Sequence, residues 1–211
     1  MSVYMTEAEQ IEWLKKGWLR YQTLIVSGLC IALLSMSAFK YWHFYHDKRI
    51  QEASVSYERM ILAESRHETQ NAQVYAEQLI QDDTGTVYAD VARLMLAAEL
   101  VQQHKYELAN STLEFLIQNS SRQPMIDLAK LRLSRVLMAE HKYEQALALL
   151  KAIKKSPYYG LINVTIGDLY VAMGNNKQAI IFYNRAHTYL ETSGITHVFL
   201  DMKIEQLKEE G

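Results

Sequence analysis

The chain has 211 residues, and its 22 lysines and arginines against 24 aspartates and glutamates leave a formal net charge of −2. That balance offers no electrostatic footprint for nucleic acid and no polybasic membrane surface. The single cysteine, Cys30, excludes a disulfide framework, a cysteine-based zinc site and a thiol pair, while only 2 prolines and 8 glycines interrupt the sequence.

Ala, Leu, Glu, Gln, Lys and Met dominate, and no Val/Ile/Thr alternation bounded by turn residues occurs, so helices are predicted throughout and no sheet. Residues 1–20 read as a short polar to amphipathic tail. The uncharged run Tyr21 to Phe39 follows, bracketed by Arg20 and Lys40. As a helix it reaches about 28 Å, close to the ~30 Å hydrocarbon thickness of a bilayer. Ser27 and Ser35 can bond back to helix carbonyls, and Trp13, Trp18, Tyr41 and Trp42 flank the run at headgroup depth. Residues 21–39 are therefore expected to form one transmembrane helix in contact with lipid. A cleaved signal peptide ending at Ser35-Met36-Ser37 is the competing reading; Glu7, Glu9, Glu12 and the aromatics after the run oppose it. Basic residues flank both ends equally and tilt only weakly toward a cytoplasmic N-terminus. Gly28, Ala32 and Ser35 share one face and form a small-xxx-small strip suited to packing against a second span.

After the span, good helix formers continue to about Arg66, so residues 40–86 are expected to form a helical stalk and a degenerate first repeat. Thr69 to Ile80 is predicted as a shorter helix within it, and Asp82 to Gly85 as a turn. From there the chain repeats itself. LMLAAELVQQHKYELA, ending at Ala109, aligns with LRLSRVLMAEHKYEQA, ending at Ala146, and with VTIGDLYVAMGNNKQA, ending at Ala179. The spacings of 37 and 33 bracket the 34 residues of a tetratricopeptide repeat. In the third copy Ile166, Gly167, Tyr170, Gly174, Ala179, Tyr183 and Ala186 fit that repeat's pattern. Small residues Ala97, Ser134 and Gly167 recur where the two helices of a repeat approach closely. The repeats are placed at 87–195, with a capping helix at 196–211. The predicted fold is all-α: one transmembrane helix, then a tetratricopeptide-like α-solenoid closed by that cap.

Catalysis has no candidate residues: no Gly-rich phosphate loop, no nucleophile elbow and no cysteine nucleophile exist, so no enzyme, cofactor or metal is expected. His67-Glu68 lacks a second histidine at residue 71, which is Asn71. The chemistry on offer is a surface formed by the first helix of each repeat. Its predicted groove residues are Val91, Leu94, Ala98 and Val101, then Leu128, Leu131, Arg135 and Met138, then Leu161, Val164, Asp168 and Val171. This largely apolar set suits an apolar segment of another protein, unless a neighbouring helix of the chain fills it.

The tail, the span, the Tyr41-Trp42 helix exit, the VYADVARLMLA and LAKLRLSRVL helices and the closing DMKIEQL together resemble the ancillary Sec translocon subunit family. The resemblance implies a bacterial inner-membrane protein with its N-terminus in the cytoplasm and its repeats in the periplasm. It also implies association with Sec translocon subunits, with a membrane-anchored periplasmic prolyl-isomerase-type chaperone, and with exported polypeptides. An alternative reading is a regulatory membrane protein whose cytoplasmic tail controls a stress-response regulator.

Overall fold

A computed structural model describes residues 7–193 and 198–209, and all secondary structure among them is helical. The predicted start of the cap at residue 196, the tail's first six residues and the last two residues lie outside the described residues. Among the described residues nine helices follow in order: α1 (Glu7–Ser65), α2 (Thr69–Asp82), α3 (Val87–Gln102), α4 (Tyr106–Asn119), α5 (Gln123–Ala139), α6 (Tyr143–Lys151), α7 (Tyr159–Ala172), α8 (Asn176–Thr192) and α9 (Val198–Glu209). The chain divides into two units, residues 1–51 and residues 52–211.

The first unit contains most of α1. Its apolar side chains are open on every described side, with Leu24, Leu29, Ile31, Leu33, Leu34 and Phe39 all exposed. The expected back-bonds form: Ser27 Oγ donates to the Leu24 carbonyl at 3.0 Å and Ser35 Oγ to that of Ile31 at 2.8 Å. The helix is bent: Ile11–Leu24 and Val26–Ser65 meet at 42°. No single straight helix is long and apolar enough to cross a membrane, and the bent pair meets that test only together. The break falls at residue 25, in the turn where the Ser27 hydroxyl bonds back to the Leu24 carbonyl. Beyond the apolar stretch Trp42 stacks on His46 with centroids 5.6 Å apart, and Phe39 meets His43 edge-on at 5.3 Å.

The second unit is a row of helix pairs. Ala53, Met60, Ala76, Leu79 and Ala92 bury together, so the end of α1 pairs with α2 and against α3. The pairs α3/α4, α5/α6 and α7/α8 follow, with α9 against α8. Each first helix ends in the same corner. The amide nitrogens of Glu68, Lys105, Lys142 and Asn175 reach back to the carbonyls of Ala63, Leu100, Leu137 and Tyr170 at 2.8 to 2.9 Å. In each corner the preceding residue is left-handed: His67, His104 and His141 at φ 57 to 60°, and Gly174 at φ 73°. These are helix C-caps closed by a six-to-one hydrogen bond. The corner at His67 makes the α1 end and α2 a further pair in register, and Ala72 stands where Ala109, Ala146 and Ala179 stand later. All four alanines are buried, the last three completely.

Close approach explains the small residues. A Cβ on Gly167 would lie 2.3 Å from a ring carbon of Tyr183, so α7 and α8 meet there only because the side chain is absent. Ala97 and Ser134 occupy the matching places at 1% and 0% exposure. Thr86 Oγ1 accepts from Ala89 N at the start of α3, and Asn175 Oδ1 from Gln178 N at the start of α8. Both caps satisfy backbone donors that the first turn of a helix cannot pair. Leucines then fill the space between pairs: Leu113, Leu116, Leu131, Leu150 and Leu169 are each at most 1% exposed. Burying each contributes about 1.5–3 kcal/mol, which is what holds otherwise marginal short helices in a stack.

Candidate partner-binding clefts

Because α3, α5 and α7 each pack on both neighbours, only part of their predicted inner face stays open. Leu94 and Leu131 do not: they are 3% and 1% exposed and belong to the apolar core, which corrects their placement in a groove. Leu128 is part-buried against the cores on both sides of it. Val91 is part-buried, and Leu161 lies exposed at the start of α7.

Ala98, Val101 and Arg135 do come together. They line a cleft of about 420 Å3 between α3 and α5, with Gln102, Leu113, Arg132 and Val136. Ala98, Gln102 and Arg132 also line a neighbouring hollow of about 240 Å3 that continues to Met60, Ala72 and Met95. Arg132 was absent from the predicted set. Its Nη1 donates to the Leu94 carbonyl at 2.7 Å. Burial, and the adjacent Arg135 charge, hold its guanidinium below the ordinary arginine value. The signal was present in the sequence, since residues 132 and 135 are three apart and adjacent on a helix surface.

Met138, Asp168 and Val171 line a second cleft of about 470 Å3, one wall of which is α9 through Lys203, Gln206 and Leu207. Lys203 of α9 forms an ion pair with Asp168 Oδ1, and Tyr183 Oη donates to the same oxygen at 2.6 Å. Burial, with the Asp168 hydrogen bond and charge, pushes the Tyr183 hydroxyl well above the usual tyrosine value, so it stays a donor. The Lys203 ammonium also lies over the Tyr183 ring, 5.4 Å from its centroid. Val164 packs into the α8–α9 core formed by Leu190, Leu200, Ile204 and Leu207. Both clefts are open; the one beside α7 has α9 as one of its walls.

Gly28, Ala32 and Ser35 lie on the first unit. All three are exposed, and a Cβ on Gly28 would meet nothing within 4 Å. Among the described residues, no group of three or more His, Cys, Asp or Glu gathers to hold a metal ion.

Helix pairs with repeated alanine contacts and identical corners define a class, and the chain belongs to it: residues 15–209 match the family described as tetratricopeptide repeat-like domain. Within that class the chain is similar to proteins named ancillary SecYEG translocon subunit. One from Aggregatibacter actinomycetemcomitans is 24% identical over 186 residues, covering 88% of this chain and 91% of that protein. One from Haemophilus influenzae (strain ATCC 51907 / DSM 11121 / KW20 / Rd) is 25% identical over 179 residues, covering 85% and 87%. The family resemblance read from the sequence is thereby borne out. In fold the chain is similar to MamA, residues 41 to end, from Desulfovibrio magneticus RS-1, with a TM-score of 0.52 at 14% identity over 74% of this chain and 93% of that one. A MamA RS-1 double mutant gives 0.51 at 13% identity over 75% and 95%.

Proposed function

We propose that the protein is a membrane-anchored, non-enzymatic scaffold of the Sec translocation channel. Its helical repeats lie in the periplasm and engage exported polypeptides, or a membrane-anchored chaperone of the prolyl-isomerase type. The observation that carries this reading is the similarity to the two translocon subunits over more than four-fifths of the chain. The uncharged run at 21–39 supports the anchor, with its serines bonded back to the helix and an aromatic rim after it. In that arrangement the N-terminal tail is cytoplasmic, and Gly28, Ala32 and Ser35 are the strip that packs on a channel helix. The cleft at Ala98, Val101 and Arg135 supports polypeptide binding, being apolar with a few polar groups at its edge.

Photo-crosslinking in living cells tests the reading, with the reactive residue at Val101, at Met138 and at Ala32. Adducts to channel subunits from position 32, and to a chaperone or exported chains from position 101, are expected. Position 138 should give fewer, since α9 walls that cleft. Adducts from position 101 confined to the protein's own helices would sink the binding role.

A further inference from the structure

The cationic side chains of the second unit differ in whether an acid answers them. Arg122 Nη1 lies 3.2 Å from Asp90, and Lys203 pairs with Asp168. Arg132 and Arg135 have no carboxylate within ion-pairing distance among the described residues. They stand three residues apart on α5, so both guanidinia occupy one face over a single turn. One N–H group of Arg132 is bonded to a carbonyl, leaving further donors of its five to be satisfied. Both line the 420 Å3 cleft, whose remaining walls are Ala98, Val101, Leu113 and Val136, with Gln102 as the other polar group. No acidic residue lines it; Glu64 and Glu99 line the neighbouring hollow that Arg132 also borders, beyond ion-pairing distance of the guanidinium.

Two like charges held side by side against apolar walls disfavour each other; burial first, and the Arg135 charge second, hold the Arg132 guanidinium below its ordinary value. An anion between them relieves the repulsion and fills the free donors in the forked geometry that suits a carboxylate. A small inorganic ion would leave the apolar walls wet. We propose that this cleft selects an extended polypeptide segment carrying an aspartate or glutamate side chain flanked by apolar residues. The carboxylate sits between Arg132 and Arg135, and an apolar neighbour sits against Ala98, Val101 and Val136. The inference rests on the reading of the cleft as a polypeptide-binding surface and names the chemistry it prefers.

The test uses the full chain in detergent micelles and two end-capped fluorescent peptides, one with the core Leu-Asp-Leu-Glu-Leu and one with Leu-Asn-Leu-Gln-Leu. Capping removes terminal charges, so selectivity reports side chains alone. Fluorescence anisotropy should show the acidic peptide binding at least about tenfold more tightly, the gain expected from one charge-assisted pair. Arg135→Gln, at an exposed position that the fold does not need, should bring that ratio near one while helicity and melting stay as in the parent. Ala98→Trp should weaken both peptides by filling the cleft. Equal affinity for the two peptides, or a ratio that Arg135→Gln leaves unchanged, overturns the acidic preference; if Ala98→Trp then still abolishes binding, the groove reading survives. Binding of neither peptide also overturns the inference, and the crosslinks from position 101 then decide the groove reading separately.

Discussion

Two of the junctions between successive repeats share a serine turn before the next first helix and differ in what fastens it. After α4, Ser120 Oγ accepts from Arg122 N and donates to Asp90 of the preceding first helix at 2.7 Å. Arg122 adds an ion pair to Asp90 and donates through Nη2 to the Gly85 carbonyl at 2.9 Å. After α6, Ser156 Oγ accepts from Tyr158 N in the same way, but a tyrosine stands where the arginine was. The matching acid, Asp127, is 1% exposed; its Oδ1 accepts from Gln123 Nε2 at 2.8 Å and its Oδ2 has no protein partner. A repeat array thus keeps its corners and its alanine contacts while its interfaces vary in strength. In a nearest-neighbour stack the weaker interface is where opening begins.

Asp90→Ala should break the first junction with the largest effect, because it strands a part-buried guanidinium and a part-buried hydroxyl together. Arg122 is one-third exposed, so water compensates part of the loss, and about 2–3 kcal/mol of stability is expected to go. Urea unfolding followed by circular dichroism measures it, and a loss below about 0.5 kcal/mol would show that the buckle does not fasten the array. Gln123→Ala removes the only side-chain bond to Asp127 and should cost about 1–2 kcal/mol, less than the first change because the second acid is already half unpaired. Equal costs would erase the contrast between the junctions.

The repeats were legible because their signals are local. HKYE at 104–107 and 141–144, with the alanine period, marks helix pairs whatever they pack against. The pair before them was harder to see, since α1 runs unbroken into it and the corner at His67 lacks the following tyrosine. Leu94 and Leu131 were misplaced for a different reason: apolar periodicity shows that a helix face is buried but not whether a core or a ligand buries it. The α9 wall of the second cleft was illegible, because Lys203 and Asp168 are 35 residues apart and only the docked α9 brings them together.

The corners offer a finer comparison, since the third repeat uses Gly174 where the others place a histidine in left-handed backbone. A non-glycine residue is strained there by about 1 kcal/mol. His141 recovers part of that through its Nδ1 contact with Tyr143 Oη at 2.6 Å. His141→Gly should therefore stabilise the chain by about 0.5 kcal/mol, read as a small rise in melting temperature. A loss of more than about 1 kcal/mol would mean that the His–Tyr contact, and not the backbone turn, holds the corner.

The smallest effect expected is on acid sensitivity at the first junction's far side. Glu140, at the end of α5, accepts from Asn110 of α4 at 2.8 Å and pairs with Lys142 at 3.1 Å. The Asn110 hydrogen bond holds the Glu140 carboxyl below its usual value against a smaller opposing effect of burial, and Lys142 lowers it further. Its folded value thus lies below its unfolded one, so ionised Glu140 contributes stability that is fully present above the unfolded value. That contribution declines as the pH falls through the unfolded and then the folded value. Glu140→Gln should keep the Asn110 contact without the charge. Melting curves between pH 7 and pH 3 should show the parent losing its advantage over the variant only on the acid side. A constant difference across that range would place the role of Glu140 in packing, and the tie between α4 and α5 would then owe nothing to its charge.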